Sequence, residues 1–216
     1  MKMGKLIVFE GPDTSGKTTT INKLKTALPI IFEKESFIFT REPGNLIANS
    51  NNTSEKIRKI LLTDSSLKPL KQAELFAIAR EYHVKDIIRK LKAGENVIVD
   101  RFILSSLVYQ GIDLGYDKVI SLNKSVLDLL RKEKIEIHNI VLHINKDTYN
   151  KRMSRKEKDA MELVDEETIN KRIAFHENLE FLEKLHIGKI YHVNANNHSE
   201  DTVMQTLNHI YGILNN

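Results

Sequence analysis

Lys5-Leu6-Ile7-Val8-Phe9-Glu10-Gly11-Pro12-Asp13-Thr14-Ser15-Gly16-Lys17-Thr18 reads as a buried strand, a glycine-bounded loop and the start of a helix. Residues 11–18 satisfy G-x-x-x-x-G-K-[ST], the spacing of the phosphate-binding loop of nucleoside-triphosphate enzymes. Glycines let the backbone turn tightly, so that successive N–H groups point inward at phosphate oxygens. Lys17 brings a point charge to the β- and γ-phosphates, and the Thr18 hydroxyl is a Mg²⁺ ligand by type and place. The preceding apolar run, Leu6 to Phe9, is a strand; Lys17 to Leu28 is a helix whose N-terminal dipole favours the phosphates. A chance glycine-rich turn would lack that strand-and-helix context.

The same alternation continues along the chain. Strands are expected at 37–39, 97–99, 140–144 and 189–193, with helices at 54–62, 69–92 and 117–133, a further helix carrying Ile169, Ile173, Leu179, Leu182 and Leu185, and a last one capped by Ser199. Short, evenly apolar strands separated by helices give an α/β fold, with a parallel sheet covered on both faces. Ligands in such sheets bind beyond the carboxyl ends of the strands, so every motif at a strand end is a candidate for one shared site. No repeat or composition break divides the chain, and one domain spanning 1–216 is expected.

Composition narrows the classes further. The chain has 216 residues, 41% hydrophobic and 29% charged, and its 33 Lys+Arg against 29 Asp+Glu are intermixed. A net charge of +4 gives no argument for nucleic-acid binding; cations gathered at a site for anionic substrates account for it. With no cysteine, disulfides and thiolate metal sites are excluded. No apolar run is long enough to span a membrane, and the N-terminus lacks a signal-peptide pattern, so no membrane partner and a cytoplasmic location are expected.

Several constellations cluster at the strand ends. Asp100 ends the third strand, where a carboxylate reaches Mg²⁺ directly or through water, and Arg101 beside it places a cation next to an acceptor phosphate. In Thr40-Arg41-Glu42-Pro43-Gly44, Arg41 lies just past a strand end with a planar fork suited to phosphate, although a lone Arg is more often solvated surface. In Leu75-Phe76-Ala77-Ile78-Ala79-Arg80, Phe76 and Arg80 are four apart on one helix face; a base can stack on the ring and bond the fork, against a plainer reading as core and surface. Arg101, Ser105 and Tyr109 recur every four residues, a polar stripe lining a cleft. The charged stretch from Lys146 to Glu167, with Arg152 and Arg155, is either a solvated face or a lid at about 150–165 that closes over the nucleotide.

Taken together, Phe9-Glu10-Gly11-Pro12-Asp13, Thr40 to Gly44, Leu75 to Arg80, Asp100-Arg101-Phe102 through Tyr109-Gln110-Gly111, and the lid's Arg155 and Asp159-Ala160-Met161-Glu162 resemble the thymidylate kinase family over about residues 5–190. The resemblance implies a three-layer P-loop kinase fold, with a five-stranded parallel sheet flanked by helices and a small lid segment. It also implies γ-phosphoryl transfer from ATP to dTMP, dependence on Mg²⁺ held at Thr18 and Asp100, and a homodimer. ATP would be bound by Gly11, Pro12, Asp13, Thr14, Ser15, Gly16, Lys17, Thr18, Thr19 and Arg152. By the same resemblance, Asp13 meets the sugar 3′-hydroxyl and Arg41 and Arg101 hold the dTMP phosphate. Phe76 stacks on thymine and Arg80 bonds a base carbonyl. Ser105, Ser106 and Gln110 line the base and phosphate side, and Tyr109 crowds the sugar C2′ against a ribose. Lys17, Asp100, Arg101 and Arg155 form the catalytic set.

The chain departs from the family at two places. Asn45 follows the Pro-Gly turn where a further glycine is usual, and a longer loop with four asparagines runs through Thr53. Position 14 is Thr, where one branch carries Arg in the phosphate loop, so the lid's Arg155 must supply that cation, with Arg152 the alternative. A deoxynucleoside kinase would need a carboxylate base and fewer acceptor-side cations than Arg41 and Arg101 provide. A non-catalytic nucleotide switch leaves the acceptor-pocket set without a role.

Overall fold

The computed structural model describes residues 2–44, 46, 53–155, 164–179 and 187–215. Most of the asparagine-rich stretch expected as a loop, residues 156–163 of the expected lid with the Asp159-Ala160-Met161-Glu162 group, and Leu182 and Leu185 lie outside the described residues. Strands β1 (Leu6–Glu10), β2 (Phe37–Arg41), β3 (Asn96–Asp100), β4 (Ile137–His143) and β5 (Lys189–Asn194) form one sheet in the order β2-β3-β1-β4-β5. All pairings are parallel. The helices are α1 (Lys17–Ile31), α2 (Thr53–Thr63), α3 (Pro69–Lys92), α4 (Ile103–Ser106), α5 (Ile112–Leu114), α6 (Tyr116–Leu122), α7 (Lys124–Lys132), α8 (Lys146–Met153), α9 (Glu166–Glu177) and α10 (Ser199–Asn215), with a π-helical turn at Leu107–Gly111.

Strand β1 is buried along its whole length. Its period-2 geometry divides it between two cores. Leu6 and Val8 join Val97, Val99 and Val141 against Val84, Ile87 and Leu91 of α3. Ile7 and Phe9 join Ile98, Ile140 and Leu142 against Leu24 and Leu28 of α1 and Ile210 and Ile213 of α10. Both faces are covered, as continuous apolar strands require. Because β3 lies on one side of β1 and β4 on the other, the chain reverses its winding direction at β1. The loop leaving the carboxyl end of β1 therefore opens into the crevice where open α/β sheets bind ligands.

The structure revises several sequence-based expectations. Strand β2 runs through Arg41, so this residue ends the strand rather than following it. Ser54 sits inside α2 rather than before it, and its buried hydroxyl donates to Ala79 O at 3.1 Å and ties α2 to α3. The helix expected over 117–133 breaks at Asn123 into α6 and α7. The polar stripe from Arg101 to Tyr109 passes from α4 into the π turn, whose wider winding re-aims Tyr109 and Gln110.

Candidate active site

A cleft of about 650 Å³ lies at the carboxyl ends of β1, β2 and β3. It is lined by the phosphate loop from Asp13 to Thr20 and by Arg41, Phe76, Arg80, Asp100, Arg101, Ser105, Ser106, Tyr109, Gln110 and Arg152. The strand-end motifs therefore converge. Of the residues expected in the site, Gly11, Pro12 and Arg155 are absent from the lining: Gly11 and Pro12 are buried at the start of the loop, and Arg155 is exposed just beyond α8.

The loop conformation demands its glycines. Gly11 has φ +142°, and a Cβ there would meet Leu142 O at 2.5 Å; Gly16 has φ +95° as it enters α1. Thr14 and Arg101 also hold positive φ, 60° and 68°, and strain of this kind in L-residues concentrates at functional sites. Lys17 is buried, and its ammonium donates to Gly11 O and Pro12 O, both at 2.8 Å. Burial, and then the neighbouring Arg101, pull its pKa down from 10.5 to about 8.

Asp13 organises the acceptor side. Its Oδ1 takes a 2.5 Å bond from Arg101 Nη2 and its Oδ2 a 2.5 Å bond from the Tyr109 hydroxyl. Burial opposes its charge, but Arg101, Lys17 and the Tyr109 bond outweigh burial and hold its pKa below the ordinary aspartate value. Burial pushes the Tyr109 phenol well above its usual range, so this hydroxyl stays a donor.

Beneath that layer is a support the motif reading did not assign a role. Glu10, fully buried at the end of β1, accepts from Phe102 N at 2.7 Å, Ser105 N at 3.3 Å and Ser105 Oγ at 2.6 Å. Ser105 in turn accepts from Arg101 Nη1 at 3.1 Å, so Glu10 sets the arginine through it. The available signal was a carboxylate closing an otherwise apolar strand. Arg58 also enters the lining, with Nη1 donating to Pro43 O at 2.9 Å, and it was not among the candidates.

Arg80 is buried, not surface. Its Nε donates to Glu42 Oε2 at 2.6 Å, its Nη2 to Phe102 O at 3.2 Å and Ser106 Oγ at 3.0 Å, and its Nη1 to Asn123 Oδ1. Phe76 packs at the edge of the small cluster of Ile57, Leu61 and Ala79. Gln110 is fully buried, and both of its amide atoms lack a partner among the described residues, as do Asp100 Oδ1 and Thr14 Oγ1. Buried polar groups are nearly always satisfied, so orphans gathered around one cleft make it the candidate ligand site. Arg152 meets the loop from the other end: Nη1 donates to Thr14 O at 3.1 Å and Nη2 to Ala195 O at 2.8 Å.

A sequence model of one family, described as thymidylate kinase, matches residues 9–206. The chain belongs to the thymidylate kinase family. A relative so named from Staphylococcus epidermidis is 34% identical over 210 residues, covering 94% of this chain and 95% of that one. Another, from Mycoplasma mobile, is 45% identical over 111 residues, so this alignment spans 50% of the chain and 52% of the relative. The crystal structure of thymidylate kinase from Ehrlichia chaffeensis superposes with a TM-score of 0.65 at 21% identity, covering 96% of this chain and 99% of that one, which supports the fold.

Oxygen donors suited to Mg²⁺ are available in this cleft. Thr18 is exposed within it, and the buried Asp100 Oδ1 has no partner among the described residues. A hydroxyl and a carboxylate oxygen, completed by phosphates and water, are what this hard cation takes, so the residues present fit it.

Proposed function

We propose that this chain transfers the γ-phosphoryl group of ATP to dTMP, giving dTDP and ADP. The observation that carries the reading is a single cleft with two chemically different ends. A phosphate loop with Arg152 and Ala195 forms one end; Asp13, Phe76, Arg80, Arg101, Tyr109 and Gln110 form the other.

The donor phosphates replace the Gly11 and Pro12 carbonyls as the partners of the Lys17 ammonium. Charge on the transferring group is then stabilised by Lys17 and Arg101, and by Arg155 brought in with the lid. Arg41 and Arg101 hold the acceptor phosphate. Thr18 and Asp100, with the phosphates, would hold Mg²⁺, which would further neutralise that charge when bound.

The base end suits a thymine imide. Gln110 offers an acceptor for N3–H and a donor for a ring carbonyl. Arg80, which has no acceptor, complements a carbonyl oxygen and opposes the amino group of cytosine. Phe76 supplies the stacking face, Ser106 holds Arg80, and Asp13 and Tyr109 face the sugar. Of the carboxylates at this end, Asp13 is engaged with Arg101 and Tyr109 and Glu42 with Arg80, and Glu10 beneath them is engaged with Phe102 and Ser105. Arg41 and Arg101 at this end suit an acceptor that already carries a phosphate, rather than the unphosphorylated sugar of a nucleoside kinase.

A homodimer accompanies this reading, supported by exposed Ile60, Leu70, Ile78 and Tyr82 on the adjoining helices α2 and α3. A cytoplasmic setting also accompanies it; among the described residues no helix is long and apolar enough to cross a membrane. A kinetic survey of dTMP, dUMP, dCMP, dGMP and UMP as acceptors tests the assignment. dTMP should lead and UMP should be poor; a purine monophosphate or UMP outcompeting dTMP contradicts it.

A further inference from the structure

Tyr109 is held at both ends. Its hydroxyl is fixed by Asp13, while its ring lies within cation–π range of two guanidinium groups: Arg101, 5.2 Å from the centroid, and Arg172, 4.3 Å away. Arg172 belongs to α9, outside every strand-end motif and outside the lining of the cleft. A guanidinium at 4.3 Å is at stacking distance from an aromatic face, the stronger of the two contacts.

Helix α9 is anchored where Arg172 leaves it. The Nδ1–H of buried His176 donates to Arg172 O at 2.7 Å, one helical turn back. Phe175 meets Tyr116 of α6 edge-on, with ring centroids 5.6 Å apart. The helix also packs on the π turn that carries Tyr109. Arg172 is close enough to help hold the Asp13 carboxylate in its charged form, so its charge reaches both partners of the tyrosine clamp.

We propose that Arg172 is a positioning residue for sugar selection: by stacking on Tyr109 it keeps the ring where it excludes a 2′-hydroxyl. The inference rests on the reading of Tyr109 as the sugar-facing side chain and adds to it the residue that holds that side chain in place. Without Arg172 the phenol keeps its bond to Asp13 and the longer contact with Arg101 but loses the closer of its two cation contacts, which loosens the ring and opens the space beside C2′. Arg172 touches neither substrate; it acts through Tyr109.

The test compares dTMP with ribothymidine 5′-monophosphate, acceptors that differ only by the 2′-hydroxyl. The readout is the ratio of their kcat/KM values in the full-length chain. Arg172→Ala should lower that ratio about tenfold, the scale of a partly desolvated cation–π contact, through faster turnover of the ribonucleotide. Arg172→Lys, which restores a cation without the flat fork, should recover part of the ratio. In a Tyr109→Ala background the ratio is already lost, and adding Arg172→Ala should change it no further. A ratio within twofold of wild type in folded Arg172→Ala overturns the proposal, as does an undiminished effect of Arg172→Ala when Tyr109 is absent. Wild-type chain inactive on dTMP contradicts the kinase reading and takes this inference with it; activity on dTMP with an unmoved ratio contradicts the inference alone.

Discussion

Glu42 and Arg80 make an ion pair at 2.6 Å with side chains only 3% and 1% exposed, and their energetic coupling is measurable. Arg80→Ala removes the cation and leaves a carboxylate buried beside His83, whose Nδ1 lies 3.4 Å from Glu42 Oε1. It also strips the partners of Phe102 O, Ser106 Oγ and Asn123 Oδ1. Breaking one side of such a pair costs about 3–5 kcal/mol, because the remaining charge is desolvated without compensation. At about 2–4 °C per kcal/mol for a domain of this size, the midpoint should fall by about 6–20 °C. Glu42→Ala should cost a similar amount, since it strands the guanidinium. The double variant strands neither charge, so its cost should lie well below the sum, with a coupling of about 2–3 kcal/mol. Urea unfolding of the four proteins at neutral pH measures the cycle. Additivity within about 0.5 kcal/mol would refute the argument, since sites that do not interact behave that way. Arg80→Lys separates stability from recognition: it keeps a charge for Glu42, so most stability should return while the KM for dTMP stays high.

Other expectations follow from the same geometry. Arg155→Ala should lower kcat by about 10²-fold with ATP and dTMP affinities near wild type, the signature of a charge used in the transition state. Arg152→Ala should instead raise the KM for ATP, since that side chain braces Thr14 O and Ala195 O; a dead Arg152→Ala beside a nearly wild-type Arg155→Ala would reverse the two roles. The free-protein pKa of about 8 at Lys17 means its proton leaves as pH rises through that value, so kcat/KM for ATP should decline above it, and a flat profile to about pH 9.5 would contradict this. Between about 8 and 10.5 the unfolded chain holds the extra proton, so this group adds stability as pH rises across that window, as thermal melts can show. Phe76→Ala should weaken dTMP binding by about 1–3 kcal/mol in calorimetry, the range of base–aromatic stacking, and an unchanged affinity would remove the stacking role.

The sheet and the phosphate loop were legible because their signals are local. Helix α3 runs from Pro69 to Lys92 as its periodicity predicts, and the apolar strand before Gly11 reads directly as buried. Boundaries were lost where polar side chains are satisfied by distant partners. Strand β4 starts at Ile137 because His138 pairs with Tyr191 and Asn139 donates to Ile187 O and Lys189 O, so polar residues occupy what reads locally as a loop. Asn123 interrupts the helix over 117–133 because its side chain serves Arg80 and Val119 O. The site was legible in the same measure. Phe76, Arg80, Arg101 and Tyr109 stand at spacings that place them on one rim. Glu10 acts through Phe102 and Ser105, Arg58 through Pro43 and Arg172 through Tyr109, contacts between different elements that no helix or strand period brings together.

The most direct test of the account is ATP consumption by the purified protein with and without dTMP, in Mg²⁺ buffer, for wild type and for Lys17→Ala. The account predicts turnover by wild type only when dTMP is present, and a fall of about 10²–10³-fold in a folded Lys17→Ala protein, the range for losing one preorganised charge-stabilising donor. Turnover independent of dTMP, or near-wild-type activity in folded Lys17→Ala, would contradict it.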